Sequence, residues 1–386
     1  MDVSAPSERL ESGTPVVSII VPARNEEASL GDCLWSLVGQ TGVSLEIIVV
    51  DDGSKDGTRA IAESFAGVRV MAAPPLPAGW TGKNNAAAAG ATAARGEWLL
   101  FTDADTVHVA GSLGRAVEEA RREDAEMLSY SPEQIAVTFW EMAVLPVVFA
   151  ELAREYPPKK VSDPASPIAA ANGQYILIRR EAYEAVGGHR AIADSLLEDV
   201  ALARAVKKSG RRIRFRYAAD AVRTRMYRNF GQLSEGWTKN LALLFRRPGR
   251  LAASSILLWG FAWSALLWPM VTEVGVGLTG RVESLSWAHG FLLRLAGVSR
   301  HWWWTPIGIG PILFIGQRLR RANFTWDMEV LGTMAGYPMF AYLLCRSRGA
   351  HSKGNVSWKG RHYDGVPGNG DLTSAAEADS ESSPVI

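Results

Sequence analysis

Asp103 and Asp105 stand one residue apart just after the apolar run Trp98-Leu99-Leu100-Phe101. Carboxylates at that spacing offer hard oxygen ligands to Mg²⁺ or Mn²⁺, and such an ion usually holds a substrate phosphate as well. A second acidic pair, Asp51-Asp52, closes the run Leu45 to Val50 and is followed by Gly53-Ser54. A carboxylate there can accept hydrogen bonds from a uracil N–H or from ribose hydroxyls. Arg24-Asn25 follows a third apolar run and Pro22. Lys83 comes after Trp80-Thr81-Gly82 at a predicted helix start, where backbone N–H groups and an ammonium both favour anions; a diphosphate fits. Glu198-Asp199 opens another predicted helix. Asp199 is the best candidate for a general base, because like charge and apolar surroundings raise a carboxylate's pKa enough to take a proton from an attacking hydroxyl. Arg225 and Arg228 share a face if helical and could grip a diphosphate leaving group. Solvation or contact with anionic lipid accounts for them equally well. Singly, each acidic pair also reads as turn or capping residues. Polar residues suited to a nucleotide at three of four strand ends, on the same edge, define a site.

The elements that must position these residues alternate. Val16–Val21, Leu45–Val50, Val68–Met71 and Trp98–Phe101 are short apolar runs suited to strands buried on both faces. Between them lie a helix opened by Asn25 as N-cap, with Leu30, Leu34, Leu37 and Val38 on its apolar face, a short helix after Asp56-Gly57-Thr58, and an Ala-rich helix from Lys83. This order predicts a doubly wound, mostly parallel α/β sheet, with ligands at the carboxyl ends of its strands. Asn172–Ile178 and Ile213–Tyr217 read as later strands.

At 386 residues the chain suggests two parts, and a net charge of +1 gives no reason to expect nucleic acid. Two distant cysteines, Cys33 and Cys345, predict neither a disulfide framework nor a zinc site. Residues 1–14 read as a polar, disordered lead without a secretory core, and the stretch from Pro367 as an acidic, Ser-rich, disordered end. Most of the 14 tryptophans fall after residue 250. Leu251–Thr272 carries no charge and is long enough to cross a bilayer; His301–Gln317 and Val330–Cys345 are marginal. Trp302-Trp303-Trp304 and Trp326 suit the headgroup belt. Basic clusters at 246–250, 318–321 and 346–348 disagree about topology, so attachment is expected without a span count. Ile135–Tyr156 is amphipathic and fits either a membrane surface or a protein core. Trp358-Lys359-Gly360-Arg361-His362-Tyr363 is out of character for a disordered tail and is expected to fold back.

Val21-Pro22-Ala23-Arg24-Asn25-Glu26, Val50-Asp51-Asp52-Gly53-Ser54, Asp103-Ala104-Asp105 and Glu198-Asp199 together resemble glycosyltransferase family 2, the inverting nucleotide-sugar enzymes of the GT-A fold. Pro77-Ala78-Gly79-Trp80-Thr81-Gly82-Lys83 and the Trp358–Tyr363 motif are similar to membrane-bound members that glycosylate lipids: ceramide glucosyltransferase-like, hopanoid-associated and carotenoid enzymes. The resemblance implies a GT-A catalytic domain at 15–250 on the cytoplasmic face of the cell membrane. Multi-pass membrane-associated helices would follow at 251–345 and a tail at 346–386. It implies inverting transfer of a sugar from a nucleotide-sugar, a UDP-sugar, to a hydroxyl or carboxyl of a membrane lipid (carotenoid, hopanoid or sphingolipid-like). It assigns nucleotide-sugar binding to Pro22, Arg24, Asn25, Glu26, Asp51, Asp52, Lys83, Asp103, Ala104, Arg225 and Arg228. It assigns a divalent metal, Mg or Mn, to Asp103 and Asp105, and the catalytic acid pair to Glu198 and Asp199. Three features depart from the pattern. Asn229 stands where the family has a Trp after its second Arg, Asn84-Asn85 replaces an apolar pair, and no apolar segment precedes Val16. A processive polysaccharide synthase shares the core but is disfavoured by that missing Trp. A nucleotidyltransferase would release pyrophosphate, and a non-catalytic membrane scaffold would bind no UDP-sugar.

Overall fold

The apolar runs of the N-terminal half become strands because each is flanked by turn-forming residues and buries both faces. In the computed structural model, which describes residues 15–279, 305–320 and 324–363, β1 (Val17–Ala23), β2 (Leu45–Asp51), β3 (Val68–Ala72) and β4 (Trp98–Phe101) lie parallel in the order β3-β2-β1-β4. Alternate residues face opposite ways. Ile19, Val21, Val49 and Leu100 pack with α1 (Leu30–Val38), α2 (Thr58–Glu63) and, further along the chain, Leu113 and Ala116. Ile20, Ile48, Val50 and Leu99 pack with α3 (Gly82–Ala93) and with Leu202, Ala203 and Val206.

Beyond β4 come β5 (Thr106–His108), α4 (Ser112–Arg122), β6 (Met127–Ser131), β7 (Glu133–Gln134), α5 (Phe139–Glu155), α6 (Pro158–Ser162), β8 (Ile176–Arg179), α7 (Arg180–Ala185), α8 (Glu198–Lys208), β9 (Ile213–Tyr217) and β10 (Val222–Thr224). The main sheet has seven strands, β3-β2-β1-β4-β8-β6-β9, and β5, β10 and β7 form a small second sheet. The fold is α/β and the sheet mostly parallel, as expected: β8 alone of its strands is reversed, running antiparallel to both β4 and β6. The reversal has a geometric effect. Phe101, the last residue of β4, pairs with Ile176, the first of β8, so the turn before β8 and the loop after β4 meet at one sheet edge.

Asn25 is not a helix cap. The first helix begins at Leu30, while Asn25 takes a left-handed φ of 53°, which Asn tolerates better than most residues.

Residues up to 135 together with 156–226 form one compact unit; 136–155 and the described residues from 227 onward form the other. The division differs from the boundary at 250 expected above, because α5 and α9 (Phe230–Leu244) pack with later helices. In this second unit α5 starts with a capping box, the Thr138 N–H and hydroxyl both donating to Glu141 Oε2 at 2.7 Å. Its buried side includes Val144, Val147 and Val148, so this stretch serves as core. Glu151, fully buried, meets Arg318 of α11 (Thr305–Leu319) at 2.6 Å and Arg154 at 3.0 Å. After α10 (Pro248–Thr279), α11 and the short α12 (Trp326–Leu331), the chain makes one π-helical stretch at Gly332–Gly336 and continues into α13 (Tyr337–Ser352). Trp259 and Trp263 of α10 donate their indole N–H groups to the Met334 and Thr333 carbonyls of that stretch.

The Trp358–Tyr363 motif takes up regular structure within the second unit. β11 (Val356–Trp358) and β12 (Arg361–Tyr363) form a hairpin whose turn, Lys359-Gly360, has two positive φ angles, and it packs on α9.

Among the described residues no helix is long and apolar enough to cross a membrane. Of the marginal spans, the described part of 301–317 lies in α11, and 330–345 runs through the end of α12, the π-helical stretch and α13. Trp302-Trp303-Trp304 and the rest of residues 280–304 lie outside the described part.

Gly96, just before β4, presses on the backbone of β1: a β-carbon there would lie 2.6 Å from the Ser18 nitrogen and 2.8 Å from the Val17 carbonyl carbon. Gly96→Ala should lower the urea midpoint, losing about 2 kcal/mol with an unchanged slope. A wild-type midpoint would refute the close approach.

Candidate active site

The first two strand ends are tied together by side chains. Arg24 donates from Nη1 to the Asp52 carbonyl at 2.5 Å and to that of Gly53 at 3.3 Å, where Gly53 turns with φ +69°. The Asn25 N–H donates to Ser54 Oγ at 3.1 Å, and Asn25 Oδ1 accepts from the Lys55 N–H at 2.9 Å. Asp51 Oδ1 accepts the Ser54 N–H at 3.1 Å, and the Glu26 N–H donates to Thr58 Oγ1 at 2.7 Å. Arg24, Asn25 and Glu26 therefore shape the loop that presents Asp51 and Asp52, which are nearly buried.

The loop after β4 is held from beneath by hydroxyls. Thr106 Oγ1 donates to the Asp103 carbonyl at 2.7 Å, and Thr224 Oγ1 to the Asp105 carbonyl at 3.1 Å. Thr102 Oγ1 donates to the Gln174 carbonyl at 2.8 Å, joining this loop to the turn before β8. His108 Nε2 lies 3.1 Å from Thr102 Oγ1 and 3.2 Å from Thr106 Oγ1, and burial lowers its pKa to about 3, so it is a neutral structural group. Burial pushes the Cys33 thiol up to about 12, and Ala104 is buried, so neither has exposed chemistry. Asp103 and Asp105 are half-buried, and Asp105 Oδ1 is itself buried.

Lys83 is the centre of the charge arrangement. Its Nζ lies 2.6 Å from Asp103 Oδ1 and 2.7 Å from Glu198 Oε1. Burial alone would lower its pKa, but the two carboxylates outweigh it and hold the ammonium well above its ordinary value. Thr81 caps α3 by accepting the Asn84 N–H at 3.2 Å. Asn84 Nδ2 then donates to the carbonyls of Ile192, Ala193 and Ser195, anchoring the loop that leads into α8. Asn85 Nδ2 holds the Pro74 carbonyl at 2.8 Å. Asn84 thus ties the loop before Glu198 to the start of α3, while Asn85 ties the same turn to the loop at Pro74. Gly173 leaves the room, since a β-carbon there would stand 3.1 Å from Lys83 Nζ and 3.2 Å from Glu198 Oε1.

Asp199 accepts the Gly173 N–H at Oδ2, 3.0 Å away, and the Val200 N–H at Oδ1, 2.8 Å away. Burial, reinforced by the neighbouring Glu198 charge, raises it to about 6 against the opposing pull of Lys83. A pocket lined by Pro22, Lys83, Asp103, Gly173, His189 and Glu198, with Phe101 and Ile176 among its apolar walls, opens over this cluster.

Among the described residues no group of three His, Cys, Asp or Glu side chains is arranged to hold a metal. Asp103 and Asp105 supply two hard oxygen donors from one short loop, and the Lys83 ammonium already places a positive charge on Asp103. Two carboxylates are too few to hold a divalent ion by themselves, so one bound there would need further ligands from substrate or water. Arg225 and Arg228 do not share a helical face, because residues 225–229 are irregular. They belong to different units, and the Arg228 N–H donates to Gln232 Oε1 at 2.8 Å. The residues sequence reasoning missed are Gly173, the Thr102–Gln174 tie and His189; the Gly187-Gly188 pair before His189 was the visible signal for the last.

Acids from separate elements gather around a lysine beside a pocket, an arrangement suited to holding a phosphate ester. Residues 18–187 match the glycosyl transferase family 2 model, which supports reading this part of the chain as a glycosyltransferase domain. The 4,4'-diaponeurosporenoate glycosyltransferase of Staphylococcus aureus (strain MRSA252) is 27% identical over 360 residues, covering 90% of this chain and 88% of that one. The same enzyme from strain USA300 is equally similar. Among solved structures, a mannosyltransferase from Pyrobaculum calidifontis in complex with GDP-Man and Mn²⁺ aligns with a TM-score of 0.47 at 17% identity, covering 88% of each chain.

Removing the ammonium should leave Asp103 and Glu198 facing each other without a counter-charge. Lys83→Met is expected to lower stability by about 1 kcal/mol at low ionic strength. Added Mn²⁺ should restore part of that loss, read as melting temperature. A variant that melts like wild type with and without Mn²⁺ would show that the ammonium does not hold these carboxylates.

Proposed function

We propose that this enzyme moves a sugar from a UDP-sugar to a hydroxyl of a membrane lipid with inversion at the anomeric carbon. The observation that carries the reading is the Lys83–Asp103–Glu198 cluster with Asp199 beside it at one sheet edge. Asp51 and Asp52 would accept hydrogen bonds from the nucleoside. Lys83 would exchange a carboxylate for a diphosphate oxygen as the donor enters. A divalent cation at Asp103 and Asp105, when bound, supplies charge that neutralises the departing diphosphate. Asp199 takes the proton of the acceptor hydroxyl. The oxygen then attacks the anomeric carbon from the side away from the diphosphate, the sugar–phosphate C–O bond breaks, and the nucleoside diphosphate leaves with the electron pair.

Membrane attachment of the helices at 251–345, with the catalytic domain on the cytoplasmic face, is part of the same proposal. It is supported by the uncharged run 251–272 and by exposed apolar side chains, Leu257 and Phe261 on α10 and Leu313 and Phe314 on α11. The name of the Staphylococcus relatives points to a carotenoid acid as acceptor and motivates a second reading, transfer to a carboxylate. A carboxylate acceptor is already ionised at neutral pH and needs no base.

Incubating membranes that contain the protein with labelled UDP-sugars should yield a lipid carrying one sugar, identified by extraction and mass spectrometry. Pyrophosphate release would mean nucleotidyl transfer, and a long polymer a processive synthase. For the hydroxyl reading, kcat/KM should rise with pH and level off above an apparent pKa of about 6, because protonated Asp199 cannot accept a proton. Glu198→Gln should move that limb to lower pH by removing the like charge. Asp199→Asn should abolish the limb and lose about 100-fold or more in rate. Near-normal turnover in Asp199→Asn without any limb would favour the carboxylate reading instead.

A further inference from the structure

His189 lines the pocket beside Lys83, Asp103 and Glu198, and nothing in the chemistry above employs it. The local sequence builds its position. Helix α7 ends at Ala185; Gly187 and Gly188 follow with φ of +77° and +53°, and one 3-10 turn spans Gly188–Arg190. A β-carbon on Gly188 would collide with the Tyr183 ring, so the glycine is what lets the phenol lie against the turn. Tyr183 Oη accepts the backbone N–H of His189 at 3.1 Å and stands 3.0 Å from His189 Nδ1.

Proton counting then fixes the imidazole. Burial pushes the Tyr183 phenol up to about 12, so the oxygen keeps its single proton. That oxygen already accepts the backbone N–H, and among the described residues Nδ1 is the acceptor in reach of its proton, so both groups are satisfied when Nδ1 accepts. Burial also lowers the His189 pKa to about 4, so the ring is neutral and carries its own proton on Nε2. Phe101 meets the ring edge-on, with centroids 4.6 Å apart, and holds its plane. Among the described residues no hydrogen bond is made to Nε2, although His189 forms part of the pocket wall.

We propose that the His189 Nε2–H donates a hydrogen bond to a hydroxyl oxygen of the donor's sugar, making His189 a positioning residue for the sugar ring. The assignment rests on the nucleotide-sugar reading above. A neutral N–H suits a hydroxyl, whereas the diphosphate has the Lys83 ammonium. Tyr183 acts through His189 by holding Nδ1 as an acceptor, and the Gly187-Gly188 turn brings the two together.

Nitrogen NMR of protein labelled with ¹⁵N-histidine, the His189 signals identified by their loss in H189Q, should report a proton on Nε2 and none on Nδ1. A proton on Nδ1 overturns the proposal without any ligand. Calorimetry should compare UDP-glucose with UDP, and GDP-mannose with GDP. In His189→Leu, affinity for the sugar nucleotide that wild type binds should fall about tenfold, the worth of one hydrogen bond, with the matching nucleoside diphosphate within about twofold. His189→Gln, whose Nε2–H₂ can replace the donor, should recover most of the loss. Unchanged sugar-nucleotide affinity in His189→Leu overturns the contact, as does an equal loss for sugar nucleotide and nucleoside diphosphate. Wild type that binds neither pair overturns the nucleotide-sugar reading itself, and the sugar contact with it.

Discussion

One ammonium between two carboxylates organises the catalytic edge. Asp103 comes from the loop after β4, while Glu198 and Asp199 come from the start of α8. Brought together without a cation, these acids would repel one another, most strongly where water is scarce. Lys83 resolves the conflict because α3 begins at Gly82 and delivers the side chain along the sheet edge. The rest of the edge can be read as support for that meeting. Thr81 caps the helix, the Asn84 amide anchors the loop before α8, and Gly173 leaves space for the ion pairs. A site whose resident positive charge is a flexible side chain can admit an anionic donor by an exchange of partners, with little movement of backbone.

The parallel strands were legible because strands buried on both faces leave continuous apolar runs, and the acids at their ends were legible because little else interrupts those runs. The direction of β8 was not. Ile176–Arg179 has the same composition whichever way it runs, and its antiparallel pairing is set by a partner about 75 residues away in sequence, as the Phe101–Ile176 register shows. Asn25 illustrates a different limit. Asn serves equally as a helix cap and as a left-handed loop residue, and the choice depends on Ser54 and Lys55 across the gap. The proposed role of His189 depends on a tyrosine six positions earlier and on the turn between them, which no residue-by-residue reading supplies.

The second unit was read least well, and the reason is again the identity of the packing partner. The apolar faces of α5 and α9 announce burial but do not say against what. The structure joins α9 to α13 through Ser347, whose hydroxyl donates to the Thr238 carbonyl at 2.6 Å and accepts the Ala242 N–H at 2.9 Å. The hairpin carrying Trp358 closes over the same helix, with Lys239 Nζ 5.5 Å from the indole ring centre. A motif that looked displaced into a tail is part of this unit's structure.

The π stretch at Gly332–Gly336 carries one residue more than an α-helical path would need, and the indoles of Trp259 and Trp263 occupy two of its carbonyls. In a lineage of related chains, loss of a single codon here would restore a regular helix and leave the residues after it in phase. Tyr337, Phe340 and Leu344 would stay interior. What such a loss would remove is the irregular turn whose carbonyls the two indoles occupy, so the extra residue belongs with Trp259 and Trp263.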